Sequence, residues 1–562
     1  MMKRSGPLWA VTAALTTIVV LAVPGNGTAV AEGPAVRMPL GPDELITQPS
    51  APQTLAPGVT YQKFTQGYSS DRWTVWVRDS EQGPETIASW EEATAFAKDV
   101  TDEGYTDVSV VTFDVPAAAD TPAGRVGYGV RVGSFAPGDR ASADALQSRL
   151  AAAGHPGRVL YTAEDGAPST GPWQVRVVRV QPTANVKLEA VHGKDVSTSE
   201  TVRAMADAAG ALVAVNGSEF DISKPGAPAP YEGIPQGLYV RNSVMLGAAN
   251  NGRTALLLDG AGARARITEV TTEIKVTADD GATNKVDGVN RLPGTILGCG
   301  GGPEAELQGR DTRLVSGTAT ATELPWRNVT CSDTDEIVLF RPQWGPETPR
   351  PAAGVDSVEA VVTAGWEVLE IRPAGGPIPP GTSVFQGIGE HADWLRSHAK
   401  EGRPLKPSST IKDAQGNSVW SPTLAAVAGG GPALVRDGEI RINTAANGMT
   451  QFSCGDLDSR TPCRPNNTLL QRHPRTLAGV GSSGELILVT IDGRYEGYSV
   501  GATWTEAAQV MKWLGAVDAV GLGSGGDTTL MIGGTLYNRP MDLWGTTHRE
   551  RPMSNAVAIV PR

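Results

Sequence analysis

Short apolar runs broken by turn residues dominate the chain from Val59 onward, and few are long enough for a buried helix. Leu486 to Ile491 is unbroken and stops at Asp492-Gly493, which predicts a core strand ending in a turn. Thr503-Trp504-Thr505-Glu506 carries an N-terminal capping signal for a helix from Ala507 to Leu514. Val517 to Leu522 predicts a second buried strand that delivers the glycine-rich turn Gly523-Ser524-Gly525-Gly526-Asp527 to a sheet edge. Gly171 to Val180, Val186 to Val191, Ala211 to Val215, Leu256 to Leu258, Ile337 to Phe340 and Ala360 to Val362 read as further strands. Helices are expected over about Ser199 to Ala209 and Ala392 to Ala399. Polar Ser409 to Asn417 reads as a surface excursion.

The amino-terminal third reads as an internal duplication. Trp73 to Val77, a helix opening at Ser89 and a strand from Val108 to Phe113 form the first copy. Tyr128 to Val132, a helix from Ser142 to Ala153 and a strand from Arg158 to Tyr161 form the second. Two strand-helix-strand units predict a four-stranded sheet with both helices on one face. Val132-Gly133-Ser134-Phe135, followed by a helix and Ala153-Gly154-His155, resembles the SPOR domain. That resemblance implies binding to peptidoglycan glycan strands, with Tyr128, Arg131 and Phe135 or their neighbours on the sheet face touching sugar.

Composition narrows the setting. With 562 residues, 40% of them hydrophobic, the chain has room for more than one globular domain. A net charge of -12 argues against nucleic-acid binding. Lys3-Arg4, the apolar run Leu8 to Val23 and Ala29-Val30-Ala31 have the layout of a cleaved secretory signal, so export is expected without stable membrane insertion afterwards. The four cysteines, Cys299, Cys331, Cys454 and Cys463, lack the paired spacing of a zinc site and suggest two disulfides. Of three pairings, Cys299 with Cys331 and Cys454 with Cys463 are preferred.

The candidate chemistry lies between Arg472 and Asn555. Arg475-Thr476, Asp492-Gly493, the glycine-rich turn, Asn538-Arg539-Pro540 and Arg551-Pro552 follow one another there. Val215-Asn216-Gly217 with Phe220-Asp221, and Gly429 to Pro432 with Leu434 to Gly438, precede them. In this order the pieces resemble the phosphodiester glycosidase family, which implies hydrolysis of a sugar-1-phosphodiester. The family's turn usually reads Asp, three glycines and Ser. Here Gly523 holds the Asp place, Ser524 the first glycine and Asp527 the Ser place, while Glu219 stands where an aromatic residue is common.

A carboxylate is needed to activate water or attack the anomeric carbon, and Asp492, Asp527 and Glu219 are the candidates. Arginine's planar fork suits phosphate oxygens. Arg475 and Arg551, with Asn216, Thr476, Gly525 and Gly526, are therefore the expected substrate-binding set. No Asp-x-Asp-x-Asp-Gly loop appears, so no metal-ligating residues are assigned, although acidic residues could still hold a calcium ion at a loop, and no cofactor is expected.

The organisation expected is α+β, with mixed sheets and flanking helices. Residues 1-31 are the signal, 32-57 a linker, 58-168 the SPOR-like module and 169-562 the large domain. The function expected is an exported hydrolase acting on wall or extracellular glycopolymer, tethered to peptidoglycan. The alternative is a wall glycan binder on the same fold that has lost hydrolysis.

Overall fold

In the computed structural model the described residues are 37-562 apart from 78-87, 116-123, 221-232, 251, 300-312, 315-328, 443-451, 454-463 and 466-470. The architecture is α+β and rich in strands. Pairing is antiparallel throughout the large sheets, and Gly288–Val289 runs parallel to Ile337–Phe340.

The apolar runs build a nine-stranded sheet. Its order is Thr47–Pro49, Val59–Gln66, Trp173–Val180, Leu486–Ile491, Arg475–Gly481, Ala516–Gly521, Ala433–Arg436 and Glu439–Ile440, with Gln53–Ala56 paired to Val59–Gln66. One face packs against two further sheets. The first is five-stranded: Thr535–Leu536, Leu530–Ile532, Val213–Asn216, Ala556–Pro561 and Val186–Val191. The second includes Tyr239–Arg241, Leu424–Ala428, Arg253–Asp259 and Ala265–Ala278. Val178, Leu488 and Val520 meet Leu188, Val215, Ile559, Leu256 and Val427 in this shared core.

The opposite face carries the helix Trp504–Trp513, buried through Trp504, Ala507, Ala508, Val510 and Met511. Thr503 caps it, accepting from the Glu506 amide while Glu506 accepts from the Thr503 amide, so two helix-end donors are satisfied reciprocally.

The segment read as a duplication folds as a four-stranded sheet, Val108–Val115, Gly124–Phe135, Trp73–Val77 and Gly157–Tyr161 in that order. Helices Trp90–Asp102 and Arg140–Ala152 share one core with Val75, Val77, Val130 and Val132 on one face. Tyr128 and Phe135, expected to touch sugar, turn towards these helices, Tyr128 meeting Trp90 edge-on at 5.2 Å. Arg131 is buried and ion-paired with Asp165. Aromatics in half-covered strands gain more from packing than from facing water, and that preference decides all but the arginine.

Two boundaries differ from expectation. Strands Thr47–Pro49 and Gln53–Ala56 lie inside the presumed linker, and Val59–Gln66, assigned to the module, pairs along its length with Trp173–Val180. Polar Leu405–Asp413 is also a strand, paired with Ala265–Ala278, and not a loose excursion. Cys331 lies opposite Ile296 and Cys299 opposite Val329 on paired strands. Their side chains, both Cys454 and Cys463, and the signal segment fall outside the described residues.

Candidate functional site

The site forms where strand Ala516–Gly521 ends and its glycine turn meets strand Val213–Asn216. Asn216, fully buried, donates to the Gly523 carbonyl at 2.8 Å, and its Oδ1 accepts from Thr476 Oγ1 at 2.6 Å and the Thr529 amide at 3.1 Å. Gly523 in turn donates to Gly217 O at 2.8 Å, and Gly525 to Pro474 O at 2.9 Å. The turn is thus held by both sheets at once. Asn216 and Thr476, expected to bind substrate, have no exposed surface and brace the turn instead.

The glycines are there for closeness. A Cβ on Gly430 would come within 2.8 Å of both Glu219 Cγ and the Gly523 amide nitrogen. One on Gly526 would fall 1.9 Å from Asp542 Oδ1 and 2.8 Å from Arg551 Nη2. Gly525 has φ +75°, which suits glycine, and packs under Arg494.

Asp527 is buried at the end of this turn and accepts from Arg551 Nη1 at 2.7 Å. Arg551 Nη2 pairs with Asp542. Arg494 donates to the Asp542 carbonyl and meets His473 Nδ1. A Cβ placed on Gly523 would lie 3.3 Å from Asp527 Oδ2. The Asp527 carboxylate therefore lies beside position 523, where the resemblance expects an acid.

Glu219 completes an acid pair with Asp527. Burial, then the Asp527 charge, pushes Glu219 up to about 8, against the pull of the Ser524 amide, Arg551 and Arg475. Burial also raises Asp527, to about 6, opposed chiefly by Arg551. The Asp527 charge is felt at Glu219, so the two carboxyl groups titrate together, both with raised proton affinity and Glu219 the more strongly raised.

Arg475 and Asp492 go elsewhere. Arg475 has no exposure, donates to Ala502 O at 2.8 Å and Gln471 O at 3.1 Å, and lies 3.8 Å over the Trp504 ring. Burial holds its proton affinity well below that of an ordinary guanidinium. It supports the site from below and presents no face to a phosphate. Asp492 is equally buried and accepts from Arg176 Nη1 at 2.6 Å, Tyr498 OH at 3.0 Å and the Arg539 amide at 3.1 Å. It is committed to that ion pair and is not among the charges that set the proton affinities of Glu219 and Asp527.

Arg494 and Asp542 were not singled out by sequence. Arg494 follows Asp492-Gly493 and takes φ +56°, a turn conformation that no side-chain pattern announces. Asp542 sits in Pro540-Met541-Asp542, without any spacing signal. Asp221 lies outside the described residues.

Residues 353–560 match the model of the phosphodiester glycosidase family, a family of hydrolases. Among solved structures, the chain is similar to a Burkholderia pseudomallei protein classed as an exported-protein candidate. The two share 28% identity with a TM-score of 0.77, over 94% of this chain and 99% of that one. A hypothetical protein from Synechocystis shares the fold at 17% identity and TM-score 0.50, over 92% and 76%. The zebrafish N-acetylglucosamine-1-phosphodiester alpha-N-acetylglucosaminidase catalytic domain, auto-inhibited by its pro-peptide, aligns at 13% identity and TM-score 0.29, over 81% and 83%, too distant to carry an argument. No protein of curated function matches the chain. Asp527, Arg551 and Arg475 fall inside the family match, whereas Glu219 and Asn216 fall outside it. Among the described residues no helix is long and apolar enough to cross a membrane.

Proposed function

We propose that the protein is an exported hydrolase that cleaves sugar-1-phosphodiesters of a wall or extracellular glycopolymer, with Asp527 and Glu219 as its working carboxyl groups. The observation that carries this is the position of Asp527 Oδ2, 3.3 Å from where a Gly523 side chain would begin. That closeness supports Asp527 as the stand-in for the acid that the family carries at this turn. Glu219, the more strongly raised of the two, keeps its proton to higher pH than Asp527. Asp527 is then the base. It takes a proton from water as the water oxygen bonds to the anomeric carbon, and the carbon–oxygen bond to phosphate breaks with its electron pair leaving on oxygen. Glu219 delivers a proton to that oxygen. The products are a free sugar and a phosphate monoester.

Arg551, half-buried and paired with both Asp527 and Asp542, is the phosphate contact. The SPOR resemblance supports a second element of the reading, in which the duplicated module holds the enzyme on peptidoglycan. The test is turnover of a synthetic N-acetylglucosamine-1-phosphodiester in water enriched in heavy oxygen. Free sugar carrying the label is the expected product. Label in the phosphate means P–O cleavage, and no turnover with tight glycan binding means a binding protein; either overturns the reading.

A further inference from the structure

A second charged cluster lies along the face of the nine-stranded sheet that carries Thr476. Cross-strand partners share a face, and Thr476 is opposite Thr490, Thr490 opposite Arg176, and Arg176 opposite Lys63. Three strand spacings of about 4.8 Å put Lys63 roughly 14 Å from Thr476.

Behind Lys63, Arg176 donates to Asp492 at 2.6 Å and to Tyr498 OH at 2.8 Å. In front, the Arg539 guanidinium lies 4.2 Å over the Tyr498 ring and 5.4 Å over that of Tyr495. Arg539 is exposed and Lys63 half-buried. Neither has a carboxylate within ion-pair reach among the described residues. Asp492 is already ion-paired with Arg176, so Lys63 and Arg539 are left with no ion-pair partner of their own among the described residues. Burial and then Arg176 lower the proton affinity of Lys63, the Asp492 carboxylate partly offsets them, and Arg539 lowers it further. Crowding cations without counter-charge costs free energy unless an anion is taken up. The tyrosine rings alongside offer faces suited to the carbon skeleton between charges.

We propose that Lys63 and Arg539, backed by Arg176, form a second anion subsite that takes another phosphodiester of the same polymer. The substrate is then a chain of repeating phosphodiesters and not an isolated sugar phosphate. This rests on the preceding reading for the first phosphate. Lys63 and Arg176 lie outside residues 353–560, so the subsite is what the earlier strands add to the family-like part.

The experiment titrates the full chain by calorimetry with a glycerol-phosphate oligomer, which lacks a sugar acetal. Alongside, cleavage of a substrate with a single phosphodiester is measured. Lys63→Gln and Arg539→Gln are each expected to weaken oligomer binding about tenfold, roughly 1.4 kcal/mol. Cleavage of the single-phosphate substrate should stay at its wild-type rate. Unchanged oligomer affinity in both variants overturns the subsite while leaving hydrolysis standing. Lys63-dependent oligomer binding without any cleavage supports the subsite while the hydrolase reading fails.

Discussion

Moving the carboxylate back along the turn should restore what its removal destroys. Asp527→Ser takes away the proposed base, and general-base contributions of about 10²–10⁴-fold set the expected fall in kcat/KM. With Ser524 still in the first glycine's place, the double change Asp527→Ser with Gly523→Asp then restores the family's Asp and Ser places. Its Cβ would sit 3.3 Å from the present Oδ2. An aspartate's oxygens lie roughly 2.4 Å beyond Cβ from ordinary bond lengths, so the new carboxylate can come within about 1 Å of the old one.

Crowding is modest. The same Cβ would meet Asn216 Nδ2 at 3.0 Å and Gly217 O at 3.2 Å, contacts relieved by shifts of a few tenths of an ångström. Arg551 keeps Asp542 as a partner when Asp527 is removed, which holds the stability loss to about 0.5–3 kcal/mol. Turnover of the synthetic phosphodiester, with melting curves to verify folding, is the assay. The double variant should recover to within about tenfold of wild type. A folded Asp527→Ser that keeps full activity, or a folded double variant no better than the single, refutes the argument that place, and not sequence position, matters.

Glu219→Gln should remove the alkaline limb of the kcat/KM profile, which in the wild type falls above about 8. The sign for stability is opposite to that of a salt-bridged acid. The folded state keeps a proton that the unfolded chain releases from about pH 4.3, so wild-type stability declines between there and about 8. Urea unfolding should therefore show the Gln variant gaining on the wild type at pH 8 and matching it near pH 4. Asp492→Asn should cost about 3–5 kcal/mol, because Arg176 is left buried without its counter-charge. The folded fraction should turn over nearly normally, and a collapse of kcat at unchanged stability would return Asp492 to the chemistry.

Local signals in the chain were reliable where one segment settles the outcome. The helix Trp504–Trp513 announces itself through Thr503 and Glu506, and Leu486–Ile491 through its unbroken apolar run. Leu405–Asp413 does not, since most of its side chains face water and only pairing with Ala265–Ala278 makes it a strand. The strands before Val59 are likewise polar and short, and owe their form to partners.

The site divides in the same way. Motif order brought Asp527, Glu219 and Arg551 to one turn. It does not reveal which way a side chain leaves its strand. Arg475 pairs in register with Ile491 and points at Trp504, while Thr476 beside it faces Asn216 across the other side. One step along a strand sends neighbouring side chains to opposite faces of the sheet, so the motif alone does not say which of them reaches the site. Arg494 and Asp542 enter through turn geometry, which residue spacing does not encode.

Neither sheet that frames the turn is closed by residues 353–560 alone. Leu486–Ile491 has Trp173–Val180 as its second neighbour, and Val213–Asn216 is wedged between Leu530–Ile532 and Ala556–Pro561. Excising the matched segment would leave one raw edge beside Leu486–Ile491 and split the other sheet down its middle, an invitation to aggregate. The stretch that carries kinship is consequently no transplantable unit. Any engineered catalyst drawn from this molecule has to bring the earlier strands with it.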